Sequence, residues 1–521
     1  MAALTSFNAQ PVSRRRLLTG GLVLGSLFVA SCAQQAASSP TAASGTSAAP
    51  SSAPPTTSSA PAASTAAPPA ATSAAPAAAS QASPTAAPAA ASAPQASNAA
   101  PVIPLWDSST TSLPAQKTVL DNFQKQHPDI KVQPVYVPKD QYDQKADLMV
   151  AAGNGPSIFF PDASRCYRYY AAKGLILNLD PLIARDKYSL DDFVPNVVAG
   201  CKFKGSMMAL PKSQSPWVLF YNKTAFDKAK VPYPPSNWSD PSWTWDKFVD
   251  IAKSLTITQN GRVTQFGTGS HFNSGWTAGW AFGGWWYNHD WLDTGWVTKY
   301  NAPDDPNVAL GVQYWADMAN KYHVAPTAAE AQSVQADVAE IFMTGRLATW
   351  FVQVGRFGQY AKIKDFEWGI AAWPHNPKDK MPLHHGDWRD QDAIFKNTPN
   401  PEGSWEFLKY VDGPEGQQIL LVQQGDASNR KSLQQPWIDY WSKQIPALAD
   451  QLKVATDAMT FDYFTPDNWS VNHSPISDKV LKPALDKVSI GQQTAADTIK
   501  QIKPQVDAAI ADTLKTMGYQ S

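Results

Sequence analysis

Val102-Ile103-Pro104-Leu105-Trp106, Ile130-Lys131-Val132-Gln133-Pro134-Val135-Tyr136-Val137 and Ser157-Ile158-Phe159-Phe160 are three short apolar runs, and the sequence between them is helical in pattern. In the first interval Ser112 is placed to cap a helix and Pro114 suits its first turn. Val119, Leu120 and Phe123 then form one apolar face, and His127-Pro128 stops it. In the second interval Tyr142 to Ala152 is helical, with Gly153 as its stop. Short strands joined by helical crossovers pair in parallel, so residues 102–160 predict an α/β fold. Right-handed crossovers place the loops after the strands along one sheet edge, and ligands bind there. Trp106, Asp107 and Asp162 fall at those ends, which makes Trp106 and Asp162 candidate ligand contacts. The competing readings are a rim aromatic packed on its own lobe for Trp106, and a cap for a helix starting near Ser164 for Asp162.

Upstream of this stretch the chain is of a different kind. Arg14-Arg15-Arg16 precedes an apolar run from Leu17 to Ala30, shorter than the ~20 residues a spanning helix needs. The run ends in Val29-Ala30-Ser31-Cys32, which resembles a bacterial lipobox, while the arginines resemble a twin-arginine export signal. Residues 1–32 therefore read as a signal peptide, with Cys32 as the lipidation point that anchors the chain to the outer face of the cytoplasmic membrane. Export in the folded or the unfolded state is compatible with the arginines. Residues 33–100 are almost wholly Ala, Ser, Pro, Thr and Gln without a charged residue, the composition of a disordered tether. Its extended contour is roughly 200 Å at ~3.1 Å per residue.

The 521 residues exceed one ordinary domain. With 43 Lys and Arg against 44 Asp and Glu, the formal charge is −1 and no basic block lies in the folded part, which argues against nucleic acid as a partner. Only Cys166 and Cys201 follow Cys32. They show neither zinc spacing nor a redox motif, and are either one disulfide of an oxidising compartment or two buried thiols. No metal site and no cofactor is expected. His384-His385 would point to opposite faces of a strand.

Further segments, in order, carry a family resemblance. Asp121-Asn122-Phe123-Gln124-Lys125-Gln126-His127-Pro128-Asp129-Ile130, Ala151-Ala152-Gly153-Asn154-Gly155-Pro156-Ser157-Ile158 and Ala171-Ala172-Lys173-Gly174-Leu175-Ile176 open the series. Phe220-Tyr221-Asn222-Lys223, Trp243-Thr244-Trp245-Asp246-Lys247-Phe248, Lys321-Tyr322-His323-Val324-Ala325-Pro326-Thr327 and Trp405-Glu406-Phe407-Leu408-Lys409-Tyr410 continue it. Together, over roughly residues 101–435, the chain resembles the family 1 extracellular solute-binding proteins. The resemblance implies a two-lobed periplasmic-binding-protein fold of type II kind, two α/β domains joined by crossing hinge strands and closing on a solute. By analogy, lobe 1 takes residues 101–212 and 355–412, and lobe 2 takes 213–354 and 413–521. The implied function is capture of a carbohydrate by a monomeric lipoprotein and its delivery to an ABC transporter permease.

Sugar recognition needs aromatic faces against C–H surfaces, together with side chains that donate to and accept from hydroxyls. Six tryptophans lie between Gly275 and Trp296, and where the family's second lobe lines its cleft Trp280 and Trp285 are the chosen candidates. Trp217 and Tyr221 flank one expected crossing point, and Trp350 and Gln353 the other. Gly386-Asp387-Trp388-Arg389-Asp390-Gln391-Asp392 departs from the glycine-rich run of relatives. Its Trp388, Arg389 and Asp392 suit hydroxyl or carboxylate recognition, against the plainer reading of a salt bridge on a loop. The rival classes are a secreted glycosidase, which would need a spaced pair of carboxylates that no motif singles out, and a glycan-binding adhesin.

Overall fold

The computed structural model describes residues 100–107, 113–138, 141–153, 155–160, 167–269, 275–333, 338–376, 387–422, 425–459 and 470–519. Residues 1–99, which include Cys32, and Asp162 and Cys166 lie outside the described residues, so the expected anchor, tether and disulfide have no structural account. Cys201 is buried in the first apolar core.

β1 (Pro104–Asp107) pairs in parallel with β2 (Val135–Val137) on one side and β3 (Ile158–Phe159) on the other. α1 (Leu113–Gln126) and α2 (Tyr142–Ala151) are the crossovers, and α3 (Tyr167–Ala172) follows β3. α1 buries Ala115, Val119 and Phe123 along one face. β2 is shorter than the apolar run around it because Pro134 removes a ladder donor, which leaves Val132 as an isolated bridge to Val102.

The element that organises the rest is β4 (Leu210–Asn222), whose 13 residues span about 40 Å at ~3.3 Å each. It pairs antiparallel with β5 (Thr349–Gln353), β6 (Trp368–Ala371), β7 (Asp387–Ile394) and β8 (Ala427–Ser428). The resulting eight-stranded sheet has the order β6-β4-β7-β3-β1-β2, with β5 and β8 also on β4. Leu210 to Pro216 lies between β7 and β8, whereas Trp217 to Asn222 lies between β5 and β6. Pro216 sits where the partners change hands, a position at which its missing N–H interrupts no continuous ladder.

Three apolar cores result. The first gathers Leu105, Trp106, Phe123, Phe159 and Ile394 with Trp405 and Leu408 of α6 (Pro401–Val411, counting α4 as Gly275–Ala281 and α5 as Pro306–Asn320). The second surrounds the far half of β4 with Trp245, Phe351, Trp373 and Trp437. The third packs α4 and α5 against the C-terminal helices, through Trp276, Trp280, Trp286, Val308, Leu485 and Val506. α4 and α5 meet closely enough that a Cβ on Gly311 would lie 2.1 Å from the carbonyl oxygen of Ala278, which only glycine avoids.

These cores correct two of the expected boundaries. Residues 355–376 were assigned to lobe 1, yet Phe357, Tyr360 and Trp368 all lie within 5.6 Å, ring centre to ring centre, of Phe220 in the second core. Conversely α7 (Pro414–Leu420), assigned to lobe 2, lies on α1, where Gln126 donates to both oxygens of Glu415 at 3.1 and 2.9 Å.

Candidate functional site

Because side chains alternate along a strand, Ser213, Ser215 and Trp217 share one face of β4, and register fixes what stands beside each. Ser213 is flanked by Asp390 and Ser428, and its hydroxyl bonds Asp390 Oδ2 at 3.2 Å. Ser215 stands opposite Trp388 on one side, and Asp426 precedes β8 on the other. Trp217 is opposite Gln353, and its ring centre lies 6.3 Å from that of Trp373 just beyond β6. Gly355 closes the row: a Cβ there would fall 2.4 Å from Asp426 Oδ1 and 3.3 Å from Ser215 Oγ. Its amide N–H donates to Ser215 Oγ at 3.3 Å.

Lys212 reaches this face through a defect in the ladder. Asp390 pairs with Ser213 and Gln391 with Pro211, so Lys212 is the extra residue of a β-bulge. Its ammonium lies 3.7 Å from Asp390 Oδ2 and 5.9 Å from the centre of the Phe160 ring at the carboxyl end of β3. The bulge thus directs a cation to the sheet edge where an α/β fold offers its ligand site.

Behind Lys212 lie two wholly buried carboxyls, Asp392 of β7 and Asp412 after α6. Burial, together with the neighbouring Asp390, raises the Asp392 pKa to about 8 despite the attraction of Lys212. Burial and the Asp392 charge raise Asp412 as well, so the pair retains a proton at neutral pH. Arg430 borders them: its Nε donates to the Asp412 carbonyl at 2.8 Å. The same guanidinium reaches Asp192 at 3.0 Å and Tyr188 at 2.7 Å, and stands 4.0 Å over the Phe193 ring.

The expected contacts separate accordingly. Trp217 and Gln353 are brought together on the β4 face. Trp350 is opposite Phe220, three residues from Trp217, and so belongs to the other face, packed over Gly269. The indole Nε1 atoms of Trp217 and Trp350 are both buried without a hydrogen-bond partner among the described residues. Trp106 is corrected to a core residue, 3 % exposed, with Phe160, Phe407 and Tyr136 rings at 5.2, 5.8 and 6.3 Å. Tyr221 is likewise core: its ring meets Phe226 and Tyr233, and its hydroxyl accepts from Gln451 at 3.3 Å. Trp280, 2 % exposed, belongs to the third core, and Trp285 lies half-buried beside it with its backbone amide on Asp305 at 2.7 Å. Asp392, expected to touch ligand, is 0 % exposed and faces Asp412 instead. Trp388 and Arg389 hold the register positions opposite Ser215 and Gln214, and their side chains lie outside the described ones. Sequence reasoning missed Lys212, Ser213, Ser215, Trp373 and Asp426. The alternation Ser213, Ser215, Trp217 was the available signal for two of these, Ser213 and Ser215.

The model of a family described as bacterial extracellular solute-binding protein matches residues 107–418. The sn-glycerol-3-phosphate-binding periplasmic protein UgpB of Pectobacterium atrosepticum is 25% identical over 354 residues, 61% of this chain and 70% of the relative. The mannitol-binding protein of Pseudomonas aeruginosa is 24% identical over 267 residues, 50% of this chain and 57% of that protein. Among solved structures, a Listeria monocytogenes ABC substrate-binding protein in complex with cycloalternan superposes with a TM-score of 0.64 at 21% identity. That match covers 80% of this chain and 99% of that one. UgpB of Mycobacterium tuberculosis in complex with glycerophosphocholine gives 0.65 at 18% identity, over 80% of this chain and 100% of the other.

Proposed function

The chain belongs to the bacterial extracellular solute-binding protein family, and from that membership we propose that it captures a neutral carbohydrate on the β4 face for an ABC importer. Binding of a solute for an ABC transporter comes with the family. The carbohydrate is our reading, and one observation carries it: three consecutive rows of β4 bring together the Ser213 and Ser215 hydroxyls, the Asp390 and Asp426 carboxylates, the Lys212 ammonium, the Gln353 amide and the Trp217 indole. Hydroxyls both donate and accept, and this set answers them in both senses, with an aromatic for the ring's C–H surface. Relatives are named for sn-glycerol 3-phosphate and mannitol, and one solved neighbour holds cycloalternan. Between these, Lys212 is already paired with Asp390 and a second carboxylate stands near Ser215, a balance that favours an uncharged polyol over a phosphoester.

In this reading the lobes divide at Pro216: residues 101–216 and 387–433 form the first, 217–376 and 434–519 the second. Closing them over the β4 face traps the sugar. Cys32 holds the receptor at the membrane beside its permease, and the tether gives it reach. A family of binding proteins leaves the glycosidase reading without support.

The test is titration of the protein with maltose, D-mannitol and sn-glycerol 3-phosphate by calorimetry, with product analysis in parallel. Binding of a neutral compound without turnover, weakened at least about tenfold (roughly 1.4 kcal/mol) in Trp217→Ala, is expected. Steady product release, preference for the phosphoester, or unchanged affinity in Trp217→Ala would overturn it.

A further inference from the structure

We propose that a cavity between α3 and the C-terminal helices is a second binding site, sized for one sugar ring and separate from the β4 face. The cavity has a volume of about 340 Å³, and Tyr169, Ser474, Asp478, Lys479, Asp512 and Thr516 are among the residues that line it. Its volume lies at the lower end of the ~300–1,000 Å³ typical of ligand pockets.

Its walls come from three separate elements. Tyr169 belongs to α3, on the first core. The opposite wall is a continuous helical run, α8 (His473–Ile476), a π-helical turn (Ser477–Leu481) and α9 (Lys482–Ser489). Pro483 accounts for the π turn: in an α-helix its ring would strike the carbonyl of Lys479, four residues earlier, so the helix widens there. That widening occurs on the segment carrying Asp478 and Lys479. The third wall is the last helix, α11 (Lys503–Thr516, after α10, Ala495–Gln501).

The polar groups divide into spent and unspent. The Asp478 carboxylate holds Lys482 at 2.6 Å, the Thr516 hydroxyl donates to the Asp512 carbonyl at 2.6 Å, and Lys173 donates to the Tyr169 hydroxyl at 2.5 Å. By contrast, the Lys479 ammonium and the Asp512 carboxylate have no partner among the described residues, nor do they pair with each other. A solvent-facing donor and acceptor on separate helices suit a solute that is both, and Met517 adds apolar surface beside a Tyr169 ring that holds the Lys173 ammonium 3.9 Å over one face. With Asp478 neutralised by Lys482, Lys479 and Asp512 are one charge of each sign, which selects neither an anion nor a cation. An uncharged sugar ring answers this lining, and by touching α3 and α11 at once it would add to the packing of Leu514 and Met517 on the first core.

This site stands independently of the β4 reading. The experiment is hydrogen exchange on the full chain with glucose, galactose, xylose, maltose and D-mannitol in turn, in the wild type, in Trp217→Ala and in the double variant Lys479→Ala with Asp512→Ala. For at least one sugar, exchange across 167–172 and 503–516 should slow about tenfold at ten times its Kd, in the wild type and in Trp217→Ala but not in the double variant. Slowing confined to β4, β5 and β8, loss of all slowing in Trp217→Ala, or no effect of any of the five sugars would overturn the second site. Slowing at 167–172 and 503–516 with none along β4 would support it and overturn the β4 reading instead.

Discussion

Asp392 and Asp412 face one another with no access to solvent, one on β7 and one at the end of a first-core helix. Their raised pKa values carry a definite sign. The folded Asp392 titrates near 8 against 3.8 for an ordinary aspartate, so between those values the folded chain holds a proton that the unfolded chain has lost. Stability should therefore fall as pH rises through that window, and the raised Asp412 adds to the loss in the same sense. Asp412→Asn, which removes one of the two competing carboxyls, is expected to flatten this slope and to raise stability at pH 8 by an amount on the order of 1–3 kcal/mol. Urea unfolding at several pH values would check it, and an unchanged slope would count against a shared proton.

Gly355 lets two polar groups of the β4 face approach each other over bare backbone. In Gly355→Ala the new methyl must displace the Asp426 carboxylate from its position near Ser215. Sugar affinity should drop at least about fivefold while stability changes by only about 1–2 kcal/mol, because the methyl meets a half-buried side chain rather than backbone. Calorimetry beside thermal melts separates the two effects. Equal affinity would remove Asp426 from the ligand contacts.

Arg430 spends its guanidinium on four groups at once: the Asp412 carbonyl, Asp192, Tyr188 and the face of Phe193. Arg430→Ala should cost about 3–5 kcal/mol by leaving buried partners unmet, and Arg430→Lys should recover little, since an ammonium cannot reproduce a planar fork. Full rescue by lysine in denaturant titrations would reduce Arg430 to a simple counter-charge.

Much of the fold was readable because local rules and tertiary demand agree in residues 102–160, where Val119 and Phe123 keep helical spacing and Ile158-Phe159 is apolar enough for a fully buried strand. The crossing strand was placed near Lys212 from resemblance. Its bulge, however, depends on pairing with residues that lie far along the chain, and no local pattern announces it. Tryptophans misled for a related reason. Indoles at Trp106 and Trp280 are as suited to a core as to a sugar, and only their neighbours Phe160, Phe407 and Trp276 decide. Asp392 failed differently: a carboxylate in a motif reads as exposed until a second carboxyl is found against it.

Because β3 finds its antiparallel neighbour β7 well over two hundred residues later, and β4 lends half its length to each core, neither half of the molecule can close its sheet early in synthesis. Long-range pairing of this kind slows folding. A ribosome adding about 5–20 residues per second leaves the first core incomplete until residue 394 has emerged, an interval of tens of seconds. For that time the edge of β3 stands open to any chaperone or export factor that recognises an unfinished sheet.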